Sequence, residues 1–374
     1  MCKLHYCGST DLTMIENKTT IILVSLLGVK NAGGVERVSY YLKDILERNF
    51  SNVKLLERGR PSFGKFSNIL WPFLLSLKLY FIKDKIVIAN SWNCYLYPAD
   101  FSIHHGTMRG TVVHVGAGKT AGLIAWMEKL SAKKARKILS VSENCKSELI
   151  NYYKIDENKI DVLNNFVDEN RFYPSTENSC SKDNSASGKK SSDKKITVLF
   201  SGALIERKGL SKLKEFSDFL ETFNSEYEIE LLIASNTSEE YSKFQNKKHT
   251  KICSGLGIDQ MPDFYRKGDI LIFPTLYEGF SMSTLEALAS GLCVIGTEFA
   301  VTKELESYDF CCKYDFASPE QTAKLCIEMY NKFSDKKEYI SKKTVERFGK
   351  AEYEKRIVEY INSALKNKNR ENAE

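Results

Sequence analysis

Glu278 and Glu286 stand in the segment Phe273-Pro274-Thr275-Leu276-Tyr277-Glu278-Gly279-Phe280-Ser281-Met282-Ser283-Thr284-Leu285-Glu286. The apolar run Ile270 to Phe273 reads as a short buried strand, Pro274 ends it, and Leu285, Leu288 and Ala289 recur at helical spacing. One carboxylate is therefore expected in a turn and the other in the first turn of a helix. Ionised carboxylates accept hydrogen bonds strongly, so the pair suits a ligand with vicinal hydroxyls. A helix start at Met282-Ser283 adds free backbone N–H groups and a positive dipole end, which suit a phosphate. A plainer role fits the same letters: Ser283-Thr284-Leu285-Glu286 is also a capping box, in which Glu286 returns a hydrogen bond to the Ser283 backbone. The spacing alone favours neither.

Arg207 and Lys208 lie in a loop after the apolar run Ile196 to Ser201. Two cations at the carboxyl end of a strand can neutralise a diphosphate leaving group without a metal held by the protein. A lone Arg-Lys is more commonly a solvated loop, and position has to decide. Gly33-Gly34 precede a helix whose first turn holds Val35, Glu36 and Arg37. Such a pair lets backbone approach a ligand, although glycines also simply make turns. No Gly-x-Gly-x-x-Gly is present, which argues against a dinucleotide site. His104-His105-Gly106-Thr107 follows the strand candidate Phe101 to His104, where an imidazole could reach a cleft; no Asp or Ser at a readable spacing supports a triad.

The elements around these groups follow from length and pattern. At 374 residues the chain can bury two cores of ordinary size. Hydrophobic content of 43% with 27% charged residues excludes a disordered chain. The longest apolar run, Ile69 to Ile82, is broken by Pro72 and Lys78 and is too short to span a bilayer. Ile21 to Leu27 is short and runs into a Gly-rich loop, so no secretory signal is expected. Cysteines are scattered singly apart from Cys311-Cys312, without Cys-x-x-Cys or His at ligand spacing. Neither a zinc site nor a disulfide framework is expected, and a reducing compartment is the simplest inference. A net charge of +6 is compatible with anionic donors, acidic lipids or nucleic acid and singles out none.

Strand and helix candidates alternate from Thr20 to Leu163 and again from Ile196 to Gly296, and the last hundred residues turn helical. Alternation of this kind predicts parallel α/β sheets. Residues 175–195 are almost without apolar side chains and read as a flexible linker. The division is thus 1–174, a linker 175–195, a second half 196–350 and a terminal helix 351–374 with Tyr353, Ile357, Tyr360, Ile361 and Ala364 on its apolar face. Two doubly wound halves would take a ligand at the carboxyl ends of their strands. Lys129 to Lys137 is a basic stretch, usually a solvated helix face; anionic lipid is the alternative, aided by Trp71, Phe73, Leu74 and Tyr80 where exposed.

Leu271 through Thr297 resembles the Glu-x7-Glu region of retaining glycosyltransferases of family 4, which have the GT-B fold of two Rossmann-like domains facing a cleft. The resemblance implies that Glu278 contacts the donor sugar and Glu286 the ribose, while Arg207 and Lys208 bind the diphosphate. Gly33 and Gly34 then belong to a loop over the phosphates, and His105 contacts the donor sugar. Gly279, Phe280, Ser281, Met282 and Ser283 line the donor, and Ser281 stands where the family usually has glycine. Lys137 to Glu143 and Val162 to Asp168 resemble two further family segments and read as scaffold, with Asn165 and Asp168 making local turn bonds and Phe166 in place of a common glycine. The terminal helix crosses back to the first domain in this family.

The expectation is a cytoplasmic, peripherally membrane-bound or soluble retaining transferase without cofactor or metal and without a nucleic acid partner. It would move a sugar from a nucleotide diphosphate, most commonly UDP in the family, to a glycan or lipid-linked saccharide in surface polysaccharide or lipopolysaccharide synthesis. Two other classes share the scaffold: a sugar-nucleotide epimerase or glycosyl phosphorylase, and a non-catalytic partner protein.

Overall fold

The computed structural model describes residues 18–25, 34–57, 67–116, 118–175 and 194–371. Two six-stranded sheets organise them, and their recorded strand pairs are parallel. The first has the order β2-β1-β3-β4-β5-β6, with β1 Thr20–Ser25, β2 Val53–Glu57, β3 Lys85–Asn90, β4 Phe101–His104, β5 Lys137–Ser140 and β6 Ile160–Val162. The second has the order β12-β11-β10-β7-β8-β9, with β7 Lys194–Ser201, β8 Tyr227–Ser235, β9 Thr250–Ser254, β10 Ile270–Phe273, β11 Cys293–Gly296 and β12 Cys311–Lys313. Strands β1, β3 and β10 are buried along their whole length, which is why they read as continuous apolar runs without alternation. The α/β expectation of two doubly wound halves holds.

Helices fill the crossovers: α1 Gly34–Asn49, α2 Ser67–Tyr80, α3 Met108–Val115, α4 Ala121–Lys134, α5 Glu143–Tyr153, α6 Leu210–Leu220, α7 Met261–Arg266, α8 Met282–Ala289, α9 Pro319–Phe333, α10 Lys337–Phe348 and α11 Lys350–Glu371. Several boundaries shift from the pattern. Strand β7 begins at Lys194, inside the expected linker; 176–193 lie outside the described residues. On α11 the buried side chains are Tyr353, Ile357, Ile361 and Leu365, so Leu365 takes the place expected of Ala364.

Contacts divide the chain into two compact units, Met1–Ile103 with Leu130–Lys137 and Glu354–Glu374, and His104–Lys129 with Ile138–Tyr353. They cut across the division at 174–196. In the first unit Glu354 on α11 accepts from Arg48 (3.0 Å) and Asn49 (2.7 Å), and Tyr360 meets Phe101 edge-on. In the second unit, residues from the first half of the chain bond the loop after β10, which keeps them together.

Candidate active site

The loop after β7 runs through a single 3-10 turn, Glu206–Lys208, and is stitched to the loop after β10. The Arg207 carbonyl accepts from the Leu276 N–H (2.8 Å) and the Thr275 hydroxyl (3.1 Å), and Thr297 donates to the Thr275 carbonyl (2.6 Å). Gly209, at φ +84°, makes this approach possible: a Cβ there would lie 2.2 Å from the Pro274 carbonyl oxygen. The two loops therefore present their side chains side by side. Arg207 Nη1 donates to Glu278 Oε1 (2.7 Å) and to the Tyr277 carbonyl (2.9 Å). Lys208 Nζ meets the same Glu278 oxygen and lies 4.9 Å from the centre of the Phe273 ring. Three of the expected site residues thus form one ion cluster, with Lys208 and Glu278 mostly shielded and Arg207 about one-third exposed.

Glu286 is buried on α8, whose N-cap is Ser281 and not Ser283: the Ser281 hydroxyl accepts from the Thr284 N–H (3.1 Å). This overturns the capping-box reading, because Glu286 sits in the second turn and Ser283 is already inside the helix. It also explains why serine stands at a position where glycine was expected, since its side chain satisfies an N–H that glycine would leave open. Met282 and Ser283 begin the helix, Met282 buried and Ser283 partly exposed.

The turn that carries Glu278 is held from several directions inside its unit. Tyr277 Oη accepts from the Thr107 N–H (2.8 Å) and reaches Glu148 (2.7 Å), and the Thr107 hydroxyl donates to Glu148 as well (2.7 Å). Burial raises the pKa of Glu148, and its hydrogen bonds to Thr107 and Tyr277 oppose that shift. Ser142 donates to the Gly279 carbonyl (2.6 Å), and the Asn165 amide donates to the Phe280 carbonyl (3.0 Å). Asn165 is therefore more than a local turn former, and Ser142 does more than cap α5. His114 stacks on Tyr277 and meets Phe299 edge-on.

His105 joins this group through its backbone. A Cβ on Gly279 would fall 2.0 Å from the His105 carbonyl oxygen, so only glycine lets the two segments touch. Burial lowers the His105 pKa to about 4, and its imidazole is neutral at pH 7. His104, fully buried, is lowered to about 3 by burial and by His105. Gly34 opens α1 in the other unit, and Gly33 lies outside the described residues. Among the described residues no group of three or more His, Cys, Asp or Glu is placed to hold a metal ion.

Sequence reasoning missed Thr107, Glu148 and Tyr277, and undervalued Ser142 and Asn165. Tyr277 adjoins Glu278, and its partners lie 129 to 170 residues away along the chain. No local periodicity exposes such a pairing.

Comparison with known proteins bears on this arrangement. Residues 181–355 match the family model of glycosyl transferases group 1, and residues 32–171 match that of Glycosyltransferase Family 4. An uncharacterized glycosyltransferase of Methanocaldococcus jannaschii, MJ1607, is 24% identical over 185 residues, 45% of this chain and 44% of that protein, so the match spans under half of the relative's length. Sucrose-phosphate synthase (tll1590) from Thermosynechococcus elongatus superposes with a TM-score of 0.73 at 14% identity, over 93% of this chain and 99% of that one. Anabaena Alr3699/HepE in complex with UDP-glucose does so with 0.66 at 14% identity, over 92% and 99%. At these identities the structural likeness establishes the GT-B fold.

Proposed function

We propose that this chain, which carries a group 1 glycosyl transferase domain and a family 4 domain on the GT-B fold, transfers a sugar from a nucleoside diphosphate to a hydroxyl of a glycan or lipid-linked saccharide, with retention of anomeric configuration. The observation that carries this reading is the cluster of Arg207, Lys208 and Glu278 at the ends of β7 and β10. A solved structure of the same fold, HepE, holds UDP-glucose, which supports a UDP-linked donor here.

In the proposed reaction the bond from the sugar C1 to the β-phosphate oxygen breaks, and the acceptor oxygen bonds C1 on the same face. The acceptor proton passes to the departing phosphate, and the nucleoside diphosphate leaves. Arg207, Lys208 and the free N–H groups of Met282 and Ser283 stabilise the negative charge that grows on the phosphates. Glu278 orients the sugar hydroxyls and Glu286 the ribose. The neutral His105 can bond a sugar hydroxyl without bringing charge to it. Gly33 and Gly34 are proposed to lie over the phosphates.

A panel of nucleotide sugars screened by thermal shift tests the donor. Release of nucleoside diphosphate only when an acceptor is added tests transfer, and NMR of the new linkage tests retention. Release without acceptor, or turnover that needs free phosphate, would move the protein to the epimerase or phosphorylase class.

A further inference from the structure

We propose that α2 is a membrane-surface anchor which seats on a bilayer rich in anionic lipid. Helices of globular proteins have one apolar stripe, and a helix apolar all round is normally buried. This one is apolar on both sides and buried on one. Leu75 and Leu79 enter the core with Ile22, Val24, Val87 and Ala89, and Trp71 packs against that cluster. On the other side Leu70, Phe73, Leu74, Leu77 and Tyr80 are exposed, and Phe81 just beyond the helix is 85% exposed. Their spacing of three and four residues puts them on one stripe along the helix.

Charge selects the occupant. Along the helix and just beyond it, from Ser67 to Lys83, the charged residues are Lys78 and Lys83, with no Asp or Glu before Asp84. Lys78 and Lys83 are exposed at the end of the apolar stripe. Tyrosine at the stripe's end is suited to the headgroup layer. An apolar ridge with exposed cations at its end matches the two signals that hold an interfacial helix, burial in the acyl boundary and attraction to anionic headgroups. A protein partner would not need the lack of polar groups along the stripe. No helix among the described residues is long and apolar enough to cross a membrane, so the contact is one of lying on the surface. This inference does not depend on the donor reading above.

The test is flotation of the protein with vesicles of phosphatidylcholine alone and of phosphatidylcholine mixed with phosphatidylglycerol. Uptake is expected on the anionic vesicles, weakened by added salt. Phe73→Ser, Leu74→Ser and Leu77→Ser together should lower partitioning on the order of 100-fold, from the lost burial of three apolar side chains. Their melting temperature should fall only modestly, because these residues are 38 to 41% exposed and enter no core cluster. Lys78→Glu with Lys83→Glu, both at exposed positions, should lower uptake by anionic vesicles several-fold. Equal uptake by both vesicle types, or uptake by neither, overturns the proposal. In the second case a mass of two chains by light scattering, reduced to one by the triple substitution, would assign the face to a second copy. Donor binding measured in the same variants is expected to be unchanged, which separates this outcome from any failure of the transferase reading.

Discussion

Glu278 without a donor is the counterion of the two cations proposed to hold the diphosphate. On the proposed reading a phosphate would compete with this carboxylate for Arg207 and Lys208, and a donor would bind by exchange of partners, with the carboxylate released toward the sugar. Glu278→Gln should therefore tighten binding of the bare nucleoside diphosphate, roughly tenfold if the lost competition matches a strong half-buried ion pair, while sugar transfer falls. Calorimetric titration with UDP and a turnover assay on the same variant read both effects; weaker UDP binding would contradict the exchange. Lys208→Ala should lower turnover about 10²-fold or more, as for loss of one preorganised donor. Unchanged transfer in that variant would remove Lys208 from the mechanism.

At the scale of elements, the turn 275–282 is held by groups on five other segments, around Thr107, Ser142 to Glu148, Asn165, Arg207 and Thr297, that bond its backbone and the Tyr277 hydroxyl. Asn165→Ala removes one bond, to the Phe280 carbonyl, and should cost about 1 kcal/mol of stability, while Ser142→Ala removes both the bond to the Gly279 carbonyl and the α5 cap and should cost about 2 kcal/mol; both are expected to weaken donor binding on the proposed reading. Ser281→Ala should also cost about 1 kcal/mol by uncapping α8, measurable by urea unfolding. Glu286→Gln, in contrast, leaves the cap intact. A loss of nucleotide affinity there at unchanged melting temperature supports the ribose contact, and unchanged affinity excludes it.

The strands were the legible part of these elements. Ile270 to Phe273 and Cys293 to Gly296 appear with the bounds that their apolar runs and the following Pro or Gly mark. Helix α3 was hidden by Gly110 and by three β-branched residues, Thr111 to Val113; only its cap, Thr107 Oγ1 accepting from Gly110, favours it locally. Helix α2 was hidden by Pro72, which has no N–H to give the preceding turn, and by the absence of a polar face; the Ser76 hydroxyl donates to the Pro72 carbonyl (2.7 Å). The site was legible where chemistry sits in adjacent letters, as in Arg207-Lys208. It was illegible where two distant segments meet, as Gly279 does with His105.

For the whole molecule, the His104 and His105 imidazoles link stability to pH, His104 being fully buried and His105 partly so. His104 and His105 have pKa values lowered to about 3 and about 4, while the unfolded chain titrates near 6.5. Below pH 6.5 the unfolded state binds protons that the folded state refuses, so stability is full above that value and declines as pH falls toward 4. The raised carboxyls Asp100 and Glu148 act in the opposite sense, since their folded forms hold protons more tightly than the unfolded chain does. Urea midpoints measured from neutral to acid pH should fall through the histidine window, and His105→Gln should flatten that decline by removing one of the two proton uptakes. A flat profile in the unaltered protein would show that the imidazoles are solvated.

Because Thr107, Ser142, Glu148 and Asn165, which help brace the turn that carries Glu278, come from ahead of Lys194, the half of the chain after that point lacks part of its own support. A fragment beginning there would keep Arg207, Lys208 and Glu278 yet leave the Gly279 and Phe280 carbonyls and the Tyr277 hydroxyl unbraced. Such a fragment is expected to melt earlier and bind UDP more weakly than the intact chain, and residues 18–175 supplied as a separate polypeptide should restore part of both. Recombination experiments that exchange donor halves between related transferases would then succeed only when the brace travels with the half it supports.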